Sequence, residues 1–300
     1  MNAHIIIPVF NGWLQTRQCL EALRQSRCQD FHAIIVDCGS TDETASRLTT
    51  DYPEVTRLVA PDSLWWAGAT NTGVEYALAA GAKLIMLLNS DCYPEPNCIG
   101  TLLGHYTGDG SRGRPRIIAP QLVDATTLTP LPTAARSCLV LGFPSLTGGQ
   151  PRYTSSSGLV ACHLIMGARG VVFPAAVFAQ VGLLDAARLP HYCADHDFYL
   201  RCNKAGIPLL IAPSAAVRVD DTRTTMARNL ADLSLSQFRA TLRERRSHRN
   251  VQDLTQFFRK HYPIPGLYMI GVALNLGRYT LLYLIARAAR VLKLRPPHQP

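Results

Sequence analysis

The sequence predicts an α/β fold: a mostly parallel sheet flanked by helices, followed by a C-terminal helical extension. Three observations carry this. Short apolar runs alternate with helical patterns through the first hundred residues, the cadence of right-handed βαβ units. Runs such as Leu84–Leu88 are apolar throughout, as in strands covered on both faces. Beyond about residue 235 the chain turns basic and helical, then apolar. Three hundred residues allow one large domain or two small ones. The expected division is an α/β domain over 1–230 and a helical tail over 231–300.

In chain order, His4–Val9 is a strand, and Pro8, Asn11 and Gly12 mark the turn at its end. Leu14, Cys19, Leu20 and Leu23 fall near helical spacing, so Leu14–Gln25 is a helix. Ala33–Val36 is a short buried strand with a polar end at Asp37–Asp42, and a helix follows to about Thr50. Thr56–Val59 is a further strand, and Asn71–Ala80 is a helix closed by Gly81. Leu84–Leu88 delivers Asn89, Ser90 and Asp91 at its end. Gly108–Arg116 and Gly142–Gly158 are rich in Gly, Ser and Pro and read as loops or lids around a strand at Ile117–Val123. Leu159–Phe173 has strand composition, and Ala175–Val181 is a short helix. Ala194–Ala205 is a helix capped by Gly206, with Pro208 just beyond.

Composition narrows the class. Hydrophobic residues make up 47%, which excludes disorder as the main state. Thirty Lys and Arg against 21 Asp and Glu leave a net charge of +9, suited to phosphates or an acidic membrane surface. The basic residues lack a recognition motif or stacking aromatics, so nucleic acid is not an expected partner. Nine cysteines with no C-x-x-C pair, no N-x-S/T site and no signal-peptide pattern point to reduced thiols in the cytoplasm.

In open parallel sheets ligands sit at the carboxyl ends of the strands. Three such ends carry polar residues here: Pro8–Asn11, Asp37–Asp42 and Asn89–Asp91. Any one alone reads as turn chemistry, but together they converge on one crevice. Asp91, delivered by an apolar strand, suits a hard cation that takes one or two carboxylates plus phosphate oxygens. Asp195 falls in the first turn of its helix, where a negative charge meets the dipole favourably. Asp197 and Arg201 are spaced to pair along that helix. Asp at i and i+2 point to nearly opposite sides, so at most one of Asp195 and Asp197 faces a crevice.

Ile5-Ile-Ile-Pro-Val-Phe-Asn11, Val36-Asp37-Cys-Gly-Ser-Thr-Asp42, Asn71-Thr-Gly73, Leu88-Asn-Ser-Asp91, Met166-Gly-Ala168 and Ala194-Asp-His-Asp-Phe198 with Arg201 resemble the ordered motifs of family 2 glycosyltransferases. The pattern is most similar to rhamnosyltransferase-like enzymes of bacterial envelope polysaccharide and glycolipid synthesis. The resemblance spans about residues 3–225. It implies a GT-A fold, Rossmann-like, and an inverting transfer from a UDP- or dTDP-sugar to a glycan or lipid-linked glycan. By resemblance, Pro8, Val9 and Asn11 line the nucleoside pocket, Asp37 holds the base, and Ser40 and Thr41 share its loop. Asn71 and Gly73 pass the sugar and diphosphate. Asn89, Ser90 and Asp91 match a D-x-D motif with Asn at its first position, so Asp91 is the ligand to Mg²⁺ or Mn²⁺. Asp220 stands near where the family often has a metal-binding His, in a segment that includes Asp221. Asp195 matches the catalytic base, with Ala194 in place of a Glu. Trp65, Trp66, Gly167, His191 and Asp197 fall on the acceptor side. Two alternatives stay open: a non-catalytic scaffold of an assembly complex, and a sugar-phosphate nucleotidylyltransferase. The second expects a Gly-rich basic loop after the first strand, where the sequence has Asn11-Gly-Trp-Leu-Gln-Thr.

The tail carries seven cations within Gln237–Lys260: Arg239, Arg243, Arg245, Arg246, Arg249, Arg259 and Lys260. An apolar stretch, Pro263–Leu294, follows. Arg278 interrupts it, which disfavours a spanning helix, and Arg278, Arg287, Arg290 and Lys293 share no clean face. The expectation is an interfacial anchor on the inner face of the cytoplasmic membrane, with packing on the chain's own domain or on a second copy as the alternatives. Removing the chain after Asp232 is expected to cost membrane binding and spare the chemistry.

Overall fold

The computed structural model describes residues 2–107, 115–147, 158–220 and 230–292. Strands β1 (Ala3–Val9), β2 (Phe31–Asp37), β3 (Thr56–Val59) and β4 (Leu84–Leu87) lie parallel in the order β3-β2-β1-β4. They are joined by α1 (Trp13–Arg24), α2 (Thr44–Asp51) and α3 (Trp65–Ala79). Alternate residues of each strand face opposite cores. Ile6, Ile34, Val36, Ile85 and Leu87 enter one, and Ile5, Ile7, Ile35, Met86 and Leu88 enter the other. Burial on both faces is why these strands read as unbroken apolar runs.

Helix α3 begins at Trp65, six residues before the expected Asn71. Its first turns gave no amphipathic signal because Ala67, Gly68, Ala69 and Thr70 are all buried. Beyond β4 come β5 (Cys92–Pro94), α4 (Cys98–Gly104), β6 (Ile117–Asp124), β7 (Ala134–Cys138) and β8 (Phe143–Leu146). β8 lies inside the expected loop Gly142–Gly158, of which 148–157 is outside the described residues, as are 108–114 of the other loop. The expected strand over 159–173 is three short ones: β9 (Val160–Cys162), β10 (Leu164–Ile165) and β11 (Val171–Pro174). Gly167 and Gly170, at φ of 79° and 86°, break the run.

Helices α5 (Ala175–Val181) and α6 (Ala194–Lys204) and strand β12 (Leu209–Val219) complete the α/β part. The full path of the large sheet is β3-β2-β1-β4-β11-β6-β12-β5, with β9 also on β12, and β10-β7-β8 forms a small second sheet. β11 runs antiparallel to both neighbours, and β12 is parallel to β6 with a bulge between Ala212 and Ala216. Pro213 and Ser214 in that bulge hide β12 from a reading by composition.

The expected helix over 237–260 is two, α7 (Leu235–Thr241) and α8 (Val251–His261), before α9 (Tyr268–Val291). Ser234 and Gln237 form a capping box on α7, and Asn250 caps α8 through the Asp253 N–H. Leu254, Phe257 and Phe258 of α8 and Val272 of α9 sit in the same core as one face of the sheet. Helix α9 crosses α8 at Gly271, where a Cβ would come within 2.6 Å of the Phe258 ring. The stretch after Asp232 is therefore part of the core, and its removal would not spare the rest.

The sequence treats Arg278 as an interruption of an apolar span. The structure turns it inward, its guanidinium carbon 3.9 Å from the Phe143 ring centre. The exposed apolar side chains of α9 are Met269, Ile270, Leu274, Leu281, Leu284 and Ile285, with Leu267 just before it; Arg278 stands between Leu274 and Leu281 and is partly covered, and Arg287 and Arg290 are exposed beyond them. By length and composition alone, Tyr268–Arg290 is also apolar enough to cross a membrane, and little of it is buried. Lys293 lies outside the described residues.

Candidate active site

Two adjoining cavities, of about 380 and 350 Å³, open at the carboxyl ends of β1 and β4. Both are lined by Pro8, Trp66, Ser90, Asp91, His191 and Arg246. The first adds Val9, Phe10, Asn11 and Trp65, and the second adds Asn89, Gly167, Arg169 and Asp195. Asp91 and Asp195, 104 positions apart in sequence, thus meet at one opening.

The loops after β1 and β2 are tied to each other. The Asn11 Oδ1 accepts from the Thr41 N–H at 2.8 Å and from the Asp42 N–H at 3.2 Å, and the Asn11 N–H donates to Ser40 Oγ at 2.9 Å. Asp37 stands beneath them, 1% exposed, accepting from the Ser40 N–H and paired with Arg57 at 2.7 Å. Its carboxylate is held by these two partners and shapes the loop that Ser40 and Thr41 belong to, and Asp37 does not line either cavity.

Asn71 and Gly73 are also structural in position. Asn71 exchanges two hydrogen bonds with the Leu184 backbone, 2.9 and 3.0 Å. A Cβ on Gly73 would meet Ile6 Cγ2 at 2.3 Å, so this glycine is what lets α3 lie against β1. Neither lines the cavities; the polar signal in the motif comes from helix docking.

Asn89 accepts from the Trp66 indole N–H at 3.0 Å and so fixes that ring at the cavity wall. Asp220 donates its N–H to the Asp91 carbonyl at 2.9 Å, but its side chain lines a separate cavity with Arg17 and Arg218. The expectation that Asp220 completes a metal site is corrected on that ground. Among the described residues no three His, Cys, Asp or Glu side chains gather to hold an ion. What remains is one carboxylate, Asp91, which fits a hard cation only where substrate phosphates supply further ligands.

Cys193 adopts φ of 65° immediately before α6, and this left-handed turn brings Asp195 to the cavity in the first turn of the helix. Asp195 Oδ1 accepts from the His196 N–H at 2.8 Å. Asn11 and Trp65, at φ of 54° and 53°, are strained in the same way, so three of the four non-glycine residues with positive φ among those described flank this opening. Strain of this kind costs about 1–3 kcal/mol each and is held by its surroundings. His191 packs on Trp65, ring centres 6.0 Å apart, and its Nδ1 is buried without a hydrogen-bond partner. Burial and then the Arg246 charge push His191 down to about 4, against an opposing pull from Asp195.

Asp197 is corrected from the acceptor side to the interior. It is fully buried and bonded to Arg201 at 2.9 Å, to Lys260 at 2.7 Å and to His261 at 2.7 Å. Burial pushes its carboxyl up, but the bonds from His261 and Lys260 and the Arg201 charge outweigh this and hold it near 2. It bolts α6, and so Asp195, to α8.

Residues 4–113 match the family model described as glycosyl transferase family 2. By that match the chain is a glycosyltransferase. No match is found among curated protein sequences. The whole fold of this glycosyltransferase resembles S. aureus TarS 1–349, at TM-score 0.54 and 10% identity over 98% of this chain and 92% of that one. The same protein in complex with UDP aligns at TM-score 0.53 and 12% identity, over 100% and 94% of the two chains. GalNAc-T7, solved with UDP, GalNAc and Mn²⁺, aligns at TM-score 0.62 and 11% identity over 99% of this chain but 59% of that one. These likenesses establish the fold, GT-A with a C-terminal helix, and their identities reach no further.

Several lining residues lie outside the expected site, Phe10, Asp62, Arg169 and Arg246 among them. Phe10 sits within a quoted motif yet has no polar signal. Arg169 directly follows Met166-Gly-Ala168. Arg246 is one of seven cations in the tail, and nothing in that run sets it apart.

Proposed function

We propose that the protein is an inverting glycosyltransferase that moves a hexose, rhamnose among the candidates, from a UDP- or dTDP-sugar to a hydroxyl of a lipid-linked glycan in bacterial envelope synthesis. The observation that carries the reading is the convergence of Asp91 and Asp195 on one opening at the strand ends. The neighbours solved with UDP and UDP-GlcNAc support a uridine nucleotide. Asp195 takes the proton of the acceptor hydroxyl as its oxygen attacks the anomeric carbon. The bond from that carbon to the diphosphate oxygen breaks on the opposite face, which inverts the centre. Trp66, Trp65 and His191 wall the sugar and acceptor and exclude water. A divalent cation, Mg²⁺ or Mn²⁺, would be held by Asp91 and would supply charge neutralisation to the diphosphate. The exposed apolar face of α9 supports placement on the inner face of the cytoplasmic membrane, where a lipid-linked acceptor is concentrated.

A donor screen tests this: nucleotide release from UDP-, dTDP- and GDP-sugars, with and without Mn²⁺ or Mg²⁺, for the wild type and Asp91→Ala. Release from one donor, lowered in Asp91→Ala by weaker metal-dependent binding, supports the reading. Nucleotide binding without release from any donor, with any acceptor fraction, turns it to a scaffold.

A further inference from the structure

Arg246 belongs to the turn between α7 and α8, far outside the stretch that matches the family model. That turn is built to hold one shape. Asn250 Nδ2 donates to the Arg243 carbonyl at 2.8 Å, the Arg249 N–H to Ser247 Oγ at 3.2 Å, and the Val251 N–H to the Leu242 carbonyl at 2.9 Å. Thr241 before it and Ser247, Arg249 and Asn250 after it are buried, so the turn is anchored on both sides of Arg246. The guanidinium carbon stands 5.0 Å from the Phe10 ring centre and 5.9 Å from that of Trp65. It lines both cavities, with Arg169 on the wall of the second.

The charge around the opening calls for such a group. Asp91 and Asp195 both face it, and a nucleoside diphosphate entering there brings further negative charge. Without Arg246, an Asp-held cation and Arg169 would have to offset all of it. A guanidinium offers a planar fork of donors that matches phosphate oxygens and stacks on aromatic faces at the same time. We infer that Arg246 is a diphosphate-binding residue of the donor site, supplied by the C-terminal helices and held over Phe10 and Trp65 for that purpose. The inference rests on the sugar-nucleotide reading above and adds a second source of positive charge that belongs to the protein itself.

The test is calorimetric titration of the full chain with UDP, dTDP and GDP and with the corresponding monophosphates, in Mn²⁺ and separately in EDTA. Wild type is compared with Arg246→Gln and Arg246→Lys, with thermal melting of each ligand-free variant recorded alongside. The expected result is a loss of about 10–100-fold in diphosphate affinity for Arg246→Gln, from one charged hydrogen-bonding partner removed. The loss appears in EDTA as well as Mn²⁺, is much smaller for the monophosphate, and is partly restored in Arg246→Lys. An Arg246→Gln protein that keeps the wild-type preference for diphosphate overturns the assignment. So does an equal loss for mono- and diphosphate accompanied by a lowered melting temperature, which marks a merely structural turn. A wild type that binds no nucleoside diphosphate at all sinks the donor reading, and the inference with it.

Discussion

Asp195 is expected to act on the proton and not on the nucleotide, because its helix presents it on the wall next to Asp91 and not beneath Phe10. Asp195→Asn should therefore lower turnover by about 10²–10⁴-fold with nucleoside diphosphate affinity unchanged; comparable losses in both would assign it to binding. Acid sensitivity is a second residue-scale consequence. Burial followed by Arg249 pushes His248 down to about 3, and His191 stands near 4, whereas unfolded histidine titrates near 6.5. The unfolded chain then takes up two protons that the folded one refuses, so their stabilisation is complete above about 6.5 and is lost as pH falls towards 4. Asp253 runs the other way: burial, opposed by Arg245, raises it to about 6, so the folded state gains stability as pH falls from there. The histidines outnumber the carboxyl, and His4, His105 and His163, also lowered by burial, act in the same direction, so stability falls as pH drops from 6 to 4.5. His248→Gln should flatten that fall, and urea midpoints measured from pH 7.5 to 4.5 would read the change. The residues easiest to read from sequence were Pro8, Asn11, Asp91 and Asp195, because a strand end or a helix start puts them at the crevice by geometry alone. Asp37, Asn71 and Asp197 carry the same chemistry but spend it on the fold, a distinction that only three-dimensional neighbours make.

At the scale of elements, the contact that decides most is the crossing of α8 and α9. Gly271 permits it, with Phe258 and Tyr262 side chains 2.6–2.7 Å from where a Cβ would stand. Gly271→Ala should push α9 outward and cost about 1–3 kcal/mol, visible as a lower urea midpoint. An unchanged midpoint would mean the two rings move aside freely. The parallel strands and their helices were legible because β1, β2 and β4 are buried on both faces and their flanking turns carry Gly, Asn and Asp. β12 was not, since a bulge at Pro213 and Ser214 breaks the pattern. Nor was the start of α3, where every side is covered. Periodicity reports a boundary between core and water, and elements lacking one leave no trace in it.

At the scale of the whole molecule, the tail is both a wall of the core and a source of exposed apolar surface. Leu274 and Leu281, on either side of the partly covered Arg278 along α9, are 46% and 58% exposed. The double variant Leu274→Glu, Leu281→Glu should lose sedimentation with anionic vesicles at low salt while melting as the wild type does; vesicle binding that survives both changes would remove α9 from the membrane reading. Arg246 and Phe10 meet across about four-fifths of the length of the chain. Roughly 240 residues separate them, about 10–50 s of ribosomal synthesis at ordinary rates. For that interval the N-terminal strands can begin to pair, but the core still lacks Phe257 and Phe258 and the opening lacks the wall that Arg246 supplies. Competence for the donor is thus a late event in the life of each molecule, and a nascent chain spends the wait unable to consume the cell's sugar nucleotide.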